Sequence, residues 1–431
     1  MKDLNRLRHQ VKAAWAKVPS HVKLELQLKM LDAHNHAVAV RNKAVAAVVR
    51  PTDRELVALH RLLRAELEGE LLAPSAAFPE DFLTTVGPTG EVYFGDVDYD
   101  STDLGWAYCF PAMVLTEDQT PPFKVGNTVQ IPDGTNLALL GDWGGANAPA
   151  LAVGAAAKAS DCVIHLGDVY YAGTNGDDIL DPYESTNFVE VWPGAAGKSF
   201  ALNSNHEMYA HATGYSLTTL AAPAFASQGG NCFALTNKAF RIVGLDSAYY
   251  APDNQLKDFP GCMIGSLGDP QGAQMQFLQN QIAQLGSGQS LILLTHHNGL
   301  NLDGSVPTAA DAAYLLWQQV TQVLQQIPAG ASQNVVWYWG HQHAAAVYNA
   351  QQINGITINP RCCGHGCIPW GIATDLSQSS NVLWYEGQNL GPGANYFVTN
   401  GYATLALNGA ALTESFWDQN GQRSWTTPAA A

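Results

Sequence analysis

An α/β fold is what this sequence of 431 residues predicts, on three observations. Short apolar, β-branched runs alternate with amphipathic helical stretches, the rhythm of a sheet served by crossover helices. Five of the runs stop on a cluster of Asp, Asn, Tyr or His, and ligands gather at the carboxyl ends of strands in such sheets. The composition, 47% hydrophobic and 13% charged, supplies a core for one large domain and an accessory piece.

At the head of the chain, Leu4, Leu7, Val11, Trp15 and Val18 recur at helical spacing until Pro19 interrupts it. Val22 to Leu28 alternates as a strand would but is made of helix formers, so that segment stays open. Thr52 and Glu55 form a capping box before a helix with Leu56, Leu59, Leu63 and Leu67 on one face. Residues 1–73 are therefore expected to be a helical head, whose histidines are solvated or locally capped. Residues 74–133, aromatic and β-branched with Gly and Pro between, read as a β-rich lead-in.

Residues 134–431 then hold the main domain. The expected elements are a strand to Leu140, a helix Ala148 to Lys158, and strands to Leu166, near Phe200 and from Ala239 to Leu245. A helix Met275 to Leu285, a strand 290–295, a helix Ala309 to Ile327 and a strand 335–339 follow. Thr308 and Asp311 stand as caps of the last helix, with Leu316, Val320, Val323 and Ile327 on one face. Gly355 to Asn359 and Ala403 to Leu407 read as antiparallel closing strands. Asp246, after its own strand, reads as structural.

Charge is unevenly spread over the net −16. Thirteen of the 21 Lys and Arg precede Leu72 against eight Asp and Glu there, so the head carries about +5 and the rest about −21. An acidic body argues against a nucleic-acid groove, which needs clustered Lys and Arg. The basic head is interleaved with apolar residues, as a solvated helical face would be. Seven scattered cysteines, an odd count, favour reduced thiols over a disulfide framework. Cys362, Cys363, His365 and Cys367 crowd too closely for a zinc knot and read as a tight turn with free thiols. No apolar run reaches the roughly 18 residues of a membrane span, and the N-terminus shows no signal peptide. A cytoplasmic protein is the expectation, with export left open by the Lys-poor, Gly- and Asn-rich body.

The clusters read GDWG with Asp142, GDVYY with Asp168, SNHE with Asn205 and His206, LLTHH with His296 and His297, and GHQH with His341 and His343. This inventory of hard oxygen and borderline nitrogen donors, without thiolate, suits Zn, Mn or Fe better than Ca or a structural zinc. His341 and His343 are two apart on an extended segment, so both imidazoles can point to one side. Any one block alone is weak; five in succession, each after a strand, make a metal site the better reading.

In this order the blocks resemble those of the calcineurin-like metallophosphoesterases, and within them the purple acid phosphatases, whose pattern is GDxG, GDxxY, GNH(D/E), VxxH and GHxH. The resemblance covers Leu137 to His343 and leaves out the head and the tail. It implies an αββα sandwich, which the helical head expected from periodicity would precede. Most of the superfamily has His two residues after the first Asp, where this chain has Gly144; the purple acid phosphatases lack it too and supply Tyr instead, at Tyr171 here. By this resemblance Asp142, Tyr171 and His343 would bind Fe(III), Asn205, His296 and His341 a divalent ion (Zn, Fe or Mn), and Asp168 both. Adjacent Tyr170 leaves a register of one residue open. Ser204 departs from the family's Gly, which bears on the turn aiming Asn205, and Leu293 from its Val.

The activity implied is hydrolysis of small phosphate monoesters at acidic pH, by in-line attack of a metal-activated hydroxide. His206 would contact the phosphoryl group and protonate the leaving alcohol, with Glu207 orienting it; His297 is a second candidate for a phosphate contact. With Fe(III) and a divalent ion, three anionic ligands leave the site about +2, enough to hold hydroxide and attract phosphate. A phosphodiesterase or nucleotide hydrolase with the same ligands is the alternative enzyme. A metal-containing binding protein with little catalysis, its basic head engaging a partner, is the non-enzymatic one.

Overall fold

The computed structural model describes residues 108–116, 119–176, 180–252, 262–368, 374–387 and 398–427, a short hairpin before them, and scattered positions between 9 and 17. The expected head, residues 1–73, lies almost wholly outside the described residues, as does half of the lead-in.

The strands are β1 (Thr84–Val86), β2 (Val92–Phe94), β3 (Val125–Gln130), β4 (Asn136–Leu140), β5 (Cys162–His165), β6 (Ser199–Ala201), β7 (Cys232–Thr236), β8 (Phe240–Leu245) and β9 (Ser290–Thr295). They continue as β10 (Asn334–Trp339), β11 (Ala345–Tyr348), β12 (Gln351–Ile353), β13 (Ile356–Cys363), β14 (Val382–Tyr385), β15 (Gly401–Asn408), β16 (Ala411–Asp418) and β17 (Arg423–Thr426). The helices are α1 (Cys109–Leu115), α2 (Ala148–Ala157), α3 (Asn205–Tyr209), α4 (Ala273–Ala283), α5 (Tyr314–Leu324) and α6 (Thr374–Gln378).

Among the described residues the strands build a mixed α/β molecule with two main sheets and few helices. One sheet runs β17-β16-β15-β4-β5-β6; the other runs β14-β11-β13-β10-β9-β8-β7-β3, with β12 against β13. The strands that carry the motifs are parallel: β4 with β5 and β5 with β6 in the first sheet, β8 with β9 and β9 with β10 in the second. Their carboxyl ends therefore line up within each sheet.

Strands apolar on both faces are buried on both faces. Leu137 and Leu139 of β4 meet Ile292 and Leu294 of β9 and Tyr338 of β10 in a core shared by the two sheets. The alternate residues face away: Ala138 and Leu140 pack in a cluster with Val153 of α2, and Leu291, Leu293 and Trp337 pack with Leu278 of α4 and Val320 of α5. One buried pair joins the sheets: Arg361 of β13 donates two hydrogen bonds of 3.0 Å to Glu414 of β16, which also accepts from Tyr338 at 2.7 Å.

Three elements differ from expectation. Strand β7, antiparallel to β8, does not stand out in the sequence. Residues 309–313 form i→i+3 turns, with Asp311 N–H on the Thr308 carbonyl at 2.9 Å and Tyr314 N–H on the Asp311 carbonyl at 3.1 Å, while Asp311 accepts from the amide and hydroxyl of Thr308; α5 begins at Tyr314. The closing strand β13 is antiparallel to β11 and β12 but parallel to β10, whereas β15 is antiparallel on both sides. Of the lead-in, β3 pairs in parallel with β7 and so belongs to the larger sheet.

Candidate metal centre

Each of the five blocks follows its strand. Asp142 follows β4, Asp168 follows β5, Asn205 and His206 open α3 after β6, His296 follows β9, and His341 and His343 follow β10. Four of these residues hold positive φ without being glycine: Asp142 at 54°, Asp168 at 78°, His341 at 66° and His343 at 46°. Such backbone costs on the order of 1 kcal/mol or more per residue and persists at sites where the aim of the side chain matters. Glycines make the room. A Cβ on Gly340 would stand 2.5 Å from Asp142 Oδ2, one on Gly364 2.8 Å from the same atom, and one on Gly167 2.6 Å from His296 Nδ1.

The side chains gather in two sets about Asp168. On its Oδ1 side, His296 Nε2 lies 3.2 Å away, and Asn205 Oδ1 lies 2.8 Å from His296 Nε2 and 3.1 Å from His341 Nδ1. On its Oδ2 side, the Tyr170 hydroxyl lies at 3.1 Å, and His343 Nε2 is 3.1 Å from that hydroxyl and 3.3 Å from Asp142 Oδ1. Ligating atoms of Asp142, Asp168 and His296 fall within 4.8 Å of one another.

The phenol in this cluster belongs to Tyr170, one residue before the position the motif singled out. Tyr171 turns aside: its ring lies over that of Tyr108 at 6.3 Å and meets Tyr183 edge-on at 5.7 Å. Its contribution to the site is its carbonyl, 2.5 Å from His206 Nδ1. Gly144 explains why no His stands there, since a Cβ would come within 2.7 Å of the Asp168 carbonyl oxygen and of Val169 Cα. That close approach carries two backbone bonds, Gly144 N–H to the Asp168 carbonyl at 3.0 Å and Tyr170 N–H to the Gly144 carbonyl at 2.9 Å.

Both candidate contacts to substrate are buried. His206 donates through Nδ1 to the Tyr171 carbonyl, which leaves Nε2 turned to the cluster, 3.9 Å from Asp168 Oδ2. His297 is placed otherwise: its Nδ1 lies 2.9 Å from Ser247 Oγ and its Nε2 2.7 Å from the Cys262 carbonyl. Neither nitrogen remains for a phosphate oxygen, so the expectation of a substrate contact is corrected to a supporting place, its ring 4.8 Å from that of His341. Glu207 also departs from expectation, meeting Ser204 Oγ instead of orienting His206.

The electrostatics follow from burial and from the mutual proximity of these groups. Burial, then the facing charge of Asp168, raises the Asp142 carboxyl well above its ordinary value. Burial would raise Asp168 too, but the imidazoles packed around it, His296, His206 and His343, hold it well below. Burial lowers His296 to about 3, so its ring is neutral at ordinary pH. Its Nδ1 faces the Leu166 carbonyl at 2.8 Å, an acceptor, and so carries the hydrogen. Nε2 therefore presents a lone pair to two oxygens, Asp168 Oδ1 and Asn205 Oδ1. Acceptors aimed at acceptors in a buried site fit a metal ion, with the Leu166 carbonyl fixing the ring as such partners do.

Residues 364–368, directly after β13, complete the wall. The Gly366 amide donates to the Gly141 carbonyl at 2.9 Å and the Gly364 amide to the Ala344 carbonyl at 2.8 Å, which seats this turn against Asp142. Its cysteine, Cys367, is buried and in no disulfide, as are Cys362 and Cys363 at the end of β13. The close approach of Gly364 to Asp142 is what the sequence reading missed. The only signal for it was the spacing of glycines among the cysteines, which marks a tight turn but not what the turn packs on. Asp246, as expected, is a structural acceptor, taking bonds from Asn231, Asn203 and the amides of Ala248 and Tyr249.

No family model matches the chain, and no curated protein matches it in sequence. Among solved structures, similarity is found to GAP50, the anchor in the inner membrane complex of Plasmodium, at 13% identity and a TM-score of 0.42, over 69% of this chain and 88% of that one. PhoD matches at 12% identity and 0.42 over 69% and 72%. A conserved uncharacterized protein from Streptococcus pneumoniae TIGR4, a predicted phosphoesterase, matches at 9% and 0.25 over 69% and 98%. Likeness this distant decides nothing about what the chain does. No helix among the described residues is long and apolar enough to cross a membrane.

Proposed function

We propose that the cluster is a binuclear metal centre in an αββα sandwich of the calcineurin-like type, and that it hydrolyses small phosphate monoesters as the purple acid phosphatases do. The observation that carries the reading is the division of Asp168: Oδ1 faces His296, with Asn205 and His341 beyond, and Oδ2 faces Tyr170 and His343, with Asp142 beyond. One carboxylate serving two donor sets is the arrangement a bridging ligand needs.

In this reading Asp142, Tyr170 and His343 hold the harder ion, Fe(III), with the phenol as its anionic oxygen donor. Asn205, His296 and His341 hold a divalent ion, Zn, Fe or Mn. Such ions supply Lewis acidity and lower the pKa of water. The chain's own part is to aim the donors from rigid strand ends and to exclude bulk water around them. His206, with Nδ1–H held by the Tyr171 carbonyl, keeps Nε2 toward the place where a phosphoryl group would sit; protonated there at acidic pH, it would contact that group and give the Nε2 proton to the departing alcohol.

The purified protein, loaded with iron and zinc, should turn over p-nitrophenyl phosphate at acidic pH and bis(p-nitrophenyl) phosphate far more slowly. Faster turnover of the diester would make it a phosphodiesterase with the same ligands. Full metal content without turnover of either ester would refute the hydrolase.

A further inference from the structure

We infer that the Ser204 hydroxyl is a positioning group for the Asp168 carboxylate, so that the affinity of the centre for its ions depends on a residue that touches neither ion. The inference rests on the binuclear reading and concerns a position where this chain departs from the motif it resembles.

Nothing in the backbone requires glycine at this position. Ser204 has φ −139° and ψ −177°, extended values open to any residue, and it is the N-cap of α3, its Oγ accepting from the His206 amide at 3.1 Å. Its place is prepared from the other side by Gly167, where a Cβ would stand 2.8 Å from that of Ser204. The same Oγ contacts two carboxyl groups, Asp168 at Oδ1 and Glu207 at Oε2.

A hydroxyl has one proton to give and two lone pairs. The His206 amide occupies one lone pair, which turns the rest of the hydroxyl toward the two carboxyl groups, Asp168 Oδ1 and Glu207 Oε2. Oδ1 is the oxygen that faces His296. The hydroxyl therefore fixes which way the carboxylate presents its two oxygens. Ser204, Asp168 and Glu207 are all essentially buried, so water cannot stand in easily for a missing hydroxyl. Groups that orient a metal ligand from behind are worth about 10- to 100-fold in metal affinity when removed.

The test is a zinc titration of the metal-free full chain in competition with a chelating indicator, with the thermal midpoint of the metal-free protein measured beside it. Ser204→Gly removes the hydroxyl while keeping a residue that caps helices nearly as well. It should bind Zn²⁺ about 10- to 100-fold more weakly than wild type with a thermal midpoint close to wild type. Ser204→Thr, which restores the hydroxyl, should stay near wild type; if Ser204→Gly does not fold, Ser204→Ala against Ser204→Thr reads the same group. Wild-type affinity in the variant without the hydroxyl, or an equal loss in Ser204→Thr, would overturn the inference while leaving a two-zinc wild type to support the centre. A wild type that binds no zinc would overturn both.

Discussion

Replacing Tyr170 by Phe removes one oxygen from a buried place where it has three partners. These are Asp168 Oδ2 and His343 Nε2 at 3.1 Å and Asp142 Oδ1 at 3.4 Å. A hydrogen bond to a charged group is worth about 1.5–3 kcal/mol, and loss of a group that merely orients a metal ligand about 10- to 100-fold in affinity, which is the lower bound for loss of a ligand itself. The two scales agree, since tenfold is about 1.4 kcal/mol. The ring itself stays packed against His206, at 4.6 Å between centroids, so the fold should tolerate the change. Tyr170→Phe should therefore lose the visible phenolate-to-iron absorption of the iron-loaded protein and bind iron at least about 10-fold more weakly. Tyr171→Phe, whose ring stacks away from the cluster, should keep both colour and iron. Absorbance lost in Tyr171→Phe and retained in Tyr170→Phe would refute the assignment.

Two other perturbations test different parts of the site. His206→Ala should lower turnover of p-nitrophenyl phosphate much more than metal content measured by elemental analysis; equal losses would make His206 structural. Burial raises Glu184 to about 8. The folded state then holds its proton where the unfolded chain has lost it, so this stabilisation is complete below the ordinary glutamate range and fades as pH rises toward 8. The thermal midpoint of Glu184→Gln, followed from pH 5 to 8, should fall less steeply than that of the wild type; parallel slopes would show that Glu184 is ionised in the folded protein.

What the sequence makes legible are the strand ends. Runs such as Leu137 to Leu140 and Leu291 to Leu294 are apolar without interruption because both faces are covered, and a polar residue directly after such a run has only the sheet edge to occupy. Periodicity is lost beyond that edge, which is why Tyr170 and Tyr171 could not be told apart: β5 ends at His165, and the intervening turn has no repeat to set the register. His296 and His297 show the same limit, since neighbours at a strand end point to opposite sides and only contacts with Ser247 and Cys262 reveal which one turns away. Gly364 was illegible for another reason, because its closeness to Asp142 joins residues far apart in the chain and leaves no local pattern. Ser204 was visible as a departure, but the sequence pointed to the turn, whereas the structure points to the hydroxyl.

The claim on which the account stands is that Asp168 is shared by two ions. Elemental analysis of the wild type and of Asp168→Asn, each loaded with iron and zinc and freed of loosely bound metal, measures it most directly. The account predicts two ions per wild-type chain and neither retained by Asp168→Asn. A variant that keeps one ion or both would show that the two donor sets do not depend on a common carboxylate.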